Sequence, residues 1–268
     1  MSAGAPLQCM EVSGGNQTAH RRVEMFGLDA WVRARPFESG SGGDVHYLSS
    51  CGTGRIQRVL LADVSGHGEA VSRTADELRA LMRQHVNTAE QSRFVRALNR
   101  EFKLLAGRGQ FATALAATFW APTGDLELTN AGHPRPLMRR ASEGVWRYLE
   151  GPAIPAGTIA NLPLGVIGGS RYLSSAATLE TGDLVLIYSD ALIESERGDG
   201  EMLGEAGLLE RVKLLDVSEP ERFVDALIAD LEQWRGGPPN DDETLLLLRP
   251  NRVRADHSLA GRARAALR

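Results

Sequence analysis

Residues 60–68 read LLADVSGHG. An apolar run that stops on Asp63 and breaks at once into a glycine turn has two readings. In one, Asp63 accepts backbone hydrogen bonds from the turn and caps the helix that follows. In the other, a strand holds the carboxylate rigidly at a sheet end, and the glycines admit a cation and its ligands. The rest of the chain decides between them.

The chain has 268 residues, of which 43% are hydrophobic and 24% charged. That suits one large or two small globular domains with a substantial core and argues against overall disorder. No stretch approaches the ~18 apolar residues of a membrane helix, and MSAGAPLQCMEVSGG at the N-terminus lacks both a basic region and an apolar core. The expectation is a cytoplasmic protein without membrane attachment. A net charge of −4 argues against nucleic acid as a partner. Cys9 and Cys51 are the only cysteines and form no CxxC, so there is no zinc knuckle or disulfide framework, which fits a reducing compartment.

Outward from Asp63, runs rich in Val, Ile, Leu, Tyr and Trp bounded by turn residues read as strands at 29–36, 44–50, 56–63, 111–120, 125–130, 145–149, 184–189 and 244–249. Apolar residues spaced by three and four predict helices over 70–86 and 92–105. Ser218 with Pro220 and Glu221 reads as a capping box for a third helix, ending before Gly236-Gly237-Pro238-Pro239. So few helices among so many hairpin-spaced strands predict an α+β sandwich of antiparallel sheets rather than a doubly wound sheet. Residues 1–27 show no sustained period and read as a loosely ordered lead-in. The ordered domain is expected over 28–249. Residues 250–268, with five arginines and one aspartate, read as a solvated basic tail.

Three further segments put aspartate where an apolar run meets a turn: ESGSGGDVHYL (Asp44), GDLVLIYSDALIES (Asp190) and GGPPNDDETLLLL (Asp241 and Asp242). Each alone is an ordinary turn residue. Together they are the all-oxygen donor set that Mg²⁺ or Mn²⁺ requires. Two such ions sharing a carboxylate can supply hydroxide near neutral pH and clamp a phosphoryl group. Other hydrolase signatures are missing from the sequence: no HExxH, no GxSxG and no GxxxxGK[ST]. CGTGR (51–55) reads as a hairpin turn.

The ordered series GGD (42–44), ADVSGHG (62–68), FATA…TNAGHPRPL (111–137), GDLVLIYSDALIE (182–194) and DDETLLLLR (241–249) resembles the SpoIIE/RsbU-like branch of the PPM metal-dependent serine/threonine phosphatases. The resemblance spans about residues 28–249. It implies a four-layer α-β-β-α sandwich with a dinuclear Mn²⁺ or Mg²⁺ site between the sheets. By the same resemblance Asp63 bridges both metals and the Val64 carbonyl is the next ligand. Asp190 and Asp241 bind the second metal, and Asp44 holds water or completes the shell, leaving Asp242 a supporting or turn residue. It further implies a phosphoserine substrate, with a STAS-type anti-sigma antagonist as the candidate, an upstream regulator acting in trans, and a possible homodimer.

The chain departs from that family at Ala191, where glycine is usual. If the position needs positive φ, alanine costs about 1 kcal/mol and displaces Asp190. This is the main support for an alternative reading as a weakly active or inactive, phosphatase-like binding protein. His67 is a candidate acid for the leaving oxygen, with a turn-stabilising imidazole as the other reading. His133 in NAGHP reads as a structural turn residue held by Asn130 and Pro134.

Overall fold

The computed structural model describes residues 9–37, 40–107 and 109–254. Twelve strands run in this order: β1 (Cys9–Gln17), β2 (Ala19–Met25), β3 (Leu28–Arg35), β4 (Ser41–Cys51), β5 (Ile56–Val64), β6 (Ala112–Trp120), β7 (Asp125–Ala131), β8 (Leu137–Arg139), β9 (Trp146–Tyr148), β10 (Ser175–Thr178), β11 (Leu184–Tyr188) and β12 (Glu243–Pro250). Helices α1 (Glu69–His85) and α2 (Gln91–Leu105) lie between β5 and β6; α3 (Gly204–Leu214) and α4 (Pro220–Arg235) lie between β11 and β12.

The strands form two six-stranded antiparallel sheets, ordered β1-β4-β5-β6-β7-β10 and β2-β3-β12-β11-β8-β9. Strand periodicity explains the layering. In β5, Val59 and Leu61 point into the space between the sheets, where they meet Val185, Ile187, Leu246 and Leu248. Their neighbours Leu60, Ala62 and Val64 point the other way, onto Val71, Leu78, Phe94 and Phe102 of α1 and α2. The second sheet does the same with Leu245 and Leu247, which pack on Leu208, Phe223 and Leu227 of α3 and α4. Both faces of each central strand are buried, so runs such as LLA and TLLLL do not alternate. The result is the expected four-layer α-β-β-α sandwich.

Several local expectations are corrected. Residues 9–25 are not a loose lead-in: β1 pairs with β4 and β2 with β3 as the outer strand of each sheet. Edge position explains the missed signal, since β2 (AHRRVEM) buries little beyond its ends and β1 is interrupted by Gly14 and Gly15. Strands β8 and β10 are three and four residues long, too short to show a period. Helix α3 buries only Leu208 and Val212 and has no apolar stripe to read. Ser218 does not cap α4; its hydroxyl bonds Asp216 Oδ2 at 2.7 Å, and Glu219 occupies the cap position without a side-chain bond. The helix ends, as expected, on Gly236 in the left-handed conformation, φ 79°. The start of the basic tail is anchored, because Asn251 Nδ2 donates to Met25 O (3.0 Å) and Asp29 Oδ1 (2.9 Å). Residues 255–268 of that tail lie outside the described residues.

Candidate metal centre

The carboxylates gather at one end of the sandwich, in the space between the sheets. Asp44 of β4 and Asp63 of β5 are directly paired across the first sheet, with Thr113 of β6 opposite Asp63 on its other side. From the second sheet come Asp190, opening a single 3₁₀ turn (Asp190–Leu192) just past β11, and Asp241, in the loop before β12. β11 and β12 pair with Tyr188 opposite Leu245, which brings their ends together.

The helix-cap reading of Asp63 fails. The N-cap of α1 is Gly68, with φ 88°, and no side chain caps it. Among the described residues the Asp63 carboxylate accepts no hydrogen bond, so the turn does not account for its placement. Gly66, with φ 106°, and Gly68 supply the positive φ that lets the chain reverse between β5 and α1.

The electrostatics of the cluster suit a cation. Burial, then the Asp63 charge, holds the Asp44 carboxyl well above its usual range. Asp44 is 5% exposed, and its Oδ2 is buried without a hydrogen-bond partner. Burial, then Asp190 and Asp241, pushes Asp63 up to about 7. Burial and Glu194 push Asp190 up to about 6. Asp241 is raised chiefly by burial, and His67 opposes the shift. All four groups are raised by burial and by other acidic side chains, with hydrogen bonds and the nearby His67 acting against them. An array of like charges left in this state costs free energy until a cation joins it.

The donor chemistry fits a hard divalent ion, all oxygen and anionic. Among the described residues no three acidic, histidine or cysteine side chains converge tightly enough to cage an ion by themselves. Water must therefore fill part of any shell, as is usual for Mg²⁺.

Two glycines shape the approach. A Cβ at Gly43 would stand 2.9 Å from Val64 O and 3.0 Å from Val71 Cγ1, so only glycine lets β4 lie this close to the Val64 carbonyl. A Cβ at Gly42 would overlap the Asp242 carboxylate. That carboxylate accepts from the Gly43 N–H (2.5 Å) and the Phe37 N–H (2.7 Å), so Asp242 clamps the start of β4. Buried Asn16 adds a second brace: its Nδ2 donates to Gly42 O (3.1 Å) and to Ser72 O (3.0 Å) of α1. The Asp241 loop is fixed by a buried ion pair, Arg235 to Glu243 at 2.7 Å, with Arg235 Nε donating to Gly237 O at 2.8 Å.

His67 is exposed on the turn, close enough to act on Asp241, and makes no hydrogen bond among the described residues. His133 lies buried behind the site. Its Nδ1 is 2.8 Å from Thr113 Oγ1, its N–H donates to Asn130 Oδ1 at 2.7 Å, and burial lowers it to about 3. Ala191 has no positive φ; among the described residues Asn161 is the one non-glycine that does. The strain expected at 191 is therefore absent, because the chain leaves Asp190 in a 3₁₀ turn. Sequence reading missed Glu194, four residues past Asp190 and therefore one helical turn away, although DALIE places the two at that spacing.

A two-sheet sandwich with acidic residues converging from both sheets is the architecture of PP2C-type phosphatase domains. The family described as Stage II sporulation protein E (SpoIIE) matches residues 54–251, and the chain belongs to that family. Among solved structures, the RsbU and RsbW domains of Rv1364c from Mycobacterium tuberculosis align at 26% identity and a TM-score of 0.69, over 93% of this chain and 70% of that one. The PP2C phosphatase domain of SpoIIE from Bacillus subtilis, with a fragment of its regulatory domain, aligns at 16% identity and 0.69, covering 90% and 71%. The SiaA-PP2C domain of Pseudomonas aeruginosa aligns at 15% and 0.69, covering 83% and 85%. No curated protein matches the chain.

Proposed function

We propose that this protein is a metal-dependent protein serine/threonine phosphatase. The observation that carries the proposal is the group of four carboxyls, Asp44, Asp63, Asp190 and Asp241, drawn from both sheets and each raised by burial and by neighbouring acidic side chains. Asp63, the Val64 carbonyl and Asp44 on the side of the first sheet, with Asp190 and Asp241 on the second, would hold Mn²⁺ or Mg²⁺. Such ions supply Lewis acidity, an activated water and neutralisation of phosphoryl charge.

The chain's own residues do the rest. Asp44, buried and paired with Asp63, is the acceptor able to orient a water. His67, exposed beside Asp241, can return a proton to the departing serine oxygen.

An open rim favours a protein substrate over a small molecule. His67, Glu194 and Asp241 are all exposed. A groove of about 750 Å³ lies instead at the far end of β5 and β6, against Ile56 and Trp120. The substrate class we propose is phosphoserine on a STAS-type antagonist within a partner-switching circuit, with a regulator acting in trans. The reading as an inactive binding protein loses its main support, since Ala191 is unstrained.

The test is hydrolysis of an aryl phosphate and of a phosphoserine STAS protein across a Mn²⁺ titration, with Asp63→Asn and Asp190→Asn alongside. Saturable turnover lost in both variants is expected. A folded chain with no turnover at any metal concentration would overturn the proposal.

A further inference from the structure

The two cysteines sit directly opposite each other, Cys9 on β1 and Cys51 on β4. Both are free thiols, Cys51 buried and Cys9 half-buried, and the Cys51 sulfur lies 2.9 Å from Thr53 Oγ1. Their backbone bonds run elsewhere: the Cys9 N–H donates to Asn87 Oδ1 (2.8 Å) and Cys51 O accepts from the Gly54 N–H (2.7 Å). That is the signature of a non-hydrogen-bonded antiparallel pair, whose α-carbons lie ~4.5 Å apart. Disulfides span about 4.4–6.8 Å between α-carbons, so the pair falls inside the permitted range at its short end.

We propose that Cys9 and Cys51 form a reversible cross-strand disulfide, a redox modification site that fastens the start of β1 to β4. The co-reactant is a low-molecular-weight disulfide of the glutathione class. Cys9, the more accessible sulfur, attacks it as thiolate and releases one small thiol, leaving a mixed disulfide. Cys51 then attacks the Cys9 sulfur and releases the second. Two electrons pass from the protein to the small disulfide, and the protons of Cys9 and Cys51 end on the two released thiols.

Chemistry and position make the bond a switch rather than a permanent staple. A bridge at the short end of the range is strained and more easily reduced. Burial, then Cys51, raises the Cys9 thiol to about 11, which makes its first attack slow; Arg58 opposes that shift.

The strand being fastened holds α1. Glu11 of β1 takes Arg79 (Nε 2.9 Å) and Arg83 (Nε 2.9 Å), and Asn16 reaches Ser72 at the other end of the helix. Oxidation therefore tightens the seat of the helix that leads directly out of the Asp63 turn.

The experiment is exposure of the full chain to glutathione disulfide, then blocking of remaining thiols with N-ethylmaleimide and peptide mapping by mass spectrometry without reductant. The expected result is a Cys9–Cys51 cross-linked peptide from monomeric protein. A thermal midpoint several degrees above that of the reduced chain should accompany it, and dithiothreitol should reverse both. In Cys51→Ser the reaction should stop at a glutathione adduct on Cys9. Wild-type protein that stops at that adduct, stays fully alkylated, or cross-links only between chains overturns the proposal. Peptide mapping of the wild type decides the question even if the variant does not fold, and none of these readouts depends on phosphatase turnover.

Discussion

Asp44 and Asp63 face each other as paired residues of adjacent antiparallel strands, two acidic side chains directly opposite one another. Like charges directly opposite in a sheet are destabilising, and burial sharpens the penalty. The pair is therefore expected to weaken the metal-free fold. Asp63→Asn should raise the thermal midpoint of EDTA-treated protein while removing its response to metal. At about a hundred times its Kd, Mn²⁺ should stabilise the wild type by about 2.7 kcal/mol. Differential scanning fluorimetry with and without Mn²⁺ checks both halves. A variant that keeps the full metal response would remove Asp63 from the site.

The same carboxyls set a pH dependence for the metal-free protein. Asp63 at about 7 and Asp190 at about 6 lie above the unfolded value of 3.8. Between those values the native state holds protons that the unfolded chain has released. Their contribution is thus fully present below about pH 4 and lost as pH rises through 6 and 7. Buried His46, lowered to about 4 chiefly by burial, and His133, at about 3, act in the opposite sense. They are neutral in the fold, and their contribution is lost as pH falls from 6.5 toward those values. The thermal midpoint in EDTA, wild type minus the double variant Asp63→Asn/Asp190→Asn, should therefore fall steadily from pH 5 to pH 7.5. A flat difference would show that these groups titrate normally.

Arg235 and Glu243 form an ion pair whose side chains are only 5% and 2% exposed. Removing one partner strands a buried charge. Glu243→Gln should cost roughly 3–5 kcal/mol in urea unfolding. Adding Arg235→Met should recover most of that loss, because no uncompensated charge then remains. Since Arg235 also holds Gly237 O, both variants should bind metal more weakly through the Asp241 loop.

Gly42 and Gly43 admit no side chain for different reasons. At Gly42 a methyl would expel the Asp242 carboxylate from the N–H groups of Gly43 and Phe37. At Gly43 it would push β4 away from the Val64 carbonyl. Gly43→Ala should therefore weaken metal affinity at least tenfold, about 1.4 kcal/mol, by isothermal titration with Mn²⁺. Ser50→Ala, at the far end of the same strand, should leave affinity unchanged.

What the sequence disclosed follows from which physics each element uses. β5 and β12 are legible because both faces are buried, giving apolar runs with an acidic residue at one end, Asp63 in β5 and Glu243 in β12. The convergence of Asp44, Asp63, Asp190 and Asp241 was anticipated from their shared position at strand ends. Edge strands carry a weaker signal: β2 exposes His20, Arg21 and Arg22, while β1 exposes the apolar Met10 and Val12 and turns Glu11 toward α1. Helix α3 hid because it buries two side chains only. Pairings distant in sequence, including Arg235 with Ser195, Asn16 with Ser72 and Cys9 with Cys51, depend on register and leave no local pattern. Glu194 lay in plain view, but its role appears only once Asp190 is seen to open a turn.

Ala191 gives a last prediction that separates resemblance from geometry. Glycine is usual at this position in the family, and a strained alanine would imply that restoring glycine improves the site. The chain here takes a 3₁₀ turn at Asp190–Leu192 with Ala191 buried at 2%, and Ser195 Oγ donates to its carbonyl at 2.8 Å. No positive φ is needed, so glycine only adds backbone freedom to the unfolded chain. Ala191→Gly should therefore lower stability by about 0.5–1 kcal/mol and leave the Mn²⁺ dependence of aryl phosphate hydrolysis unchanged. A variant both more stable and faster would show that the turn is strained after all, and would revive the reading in which this chain is a weakened member of its family.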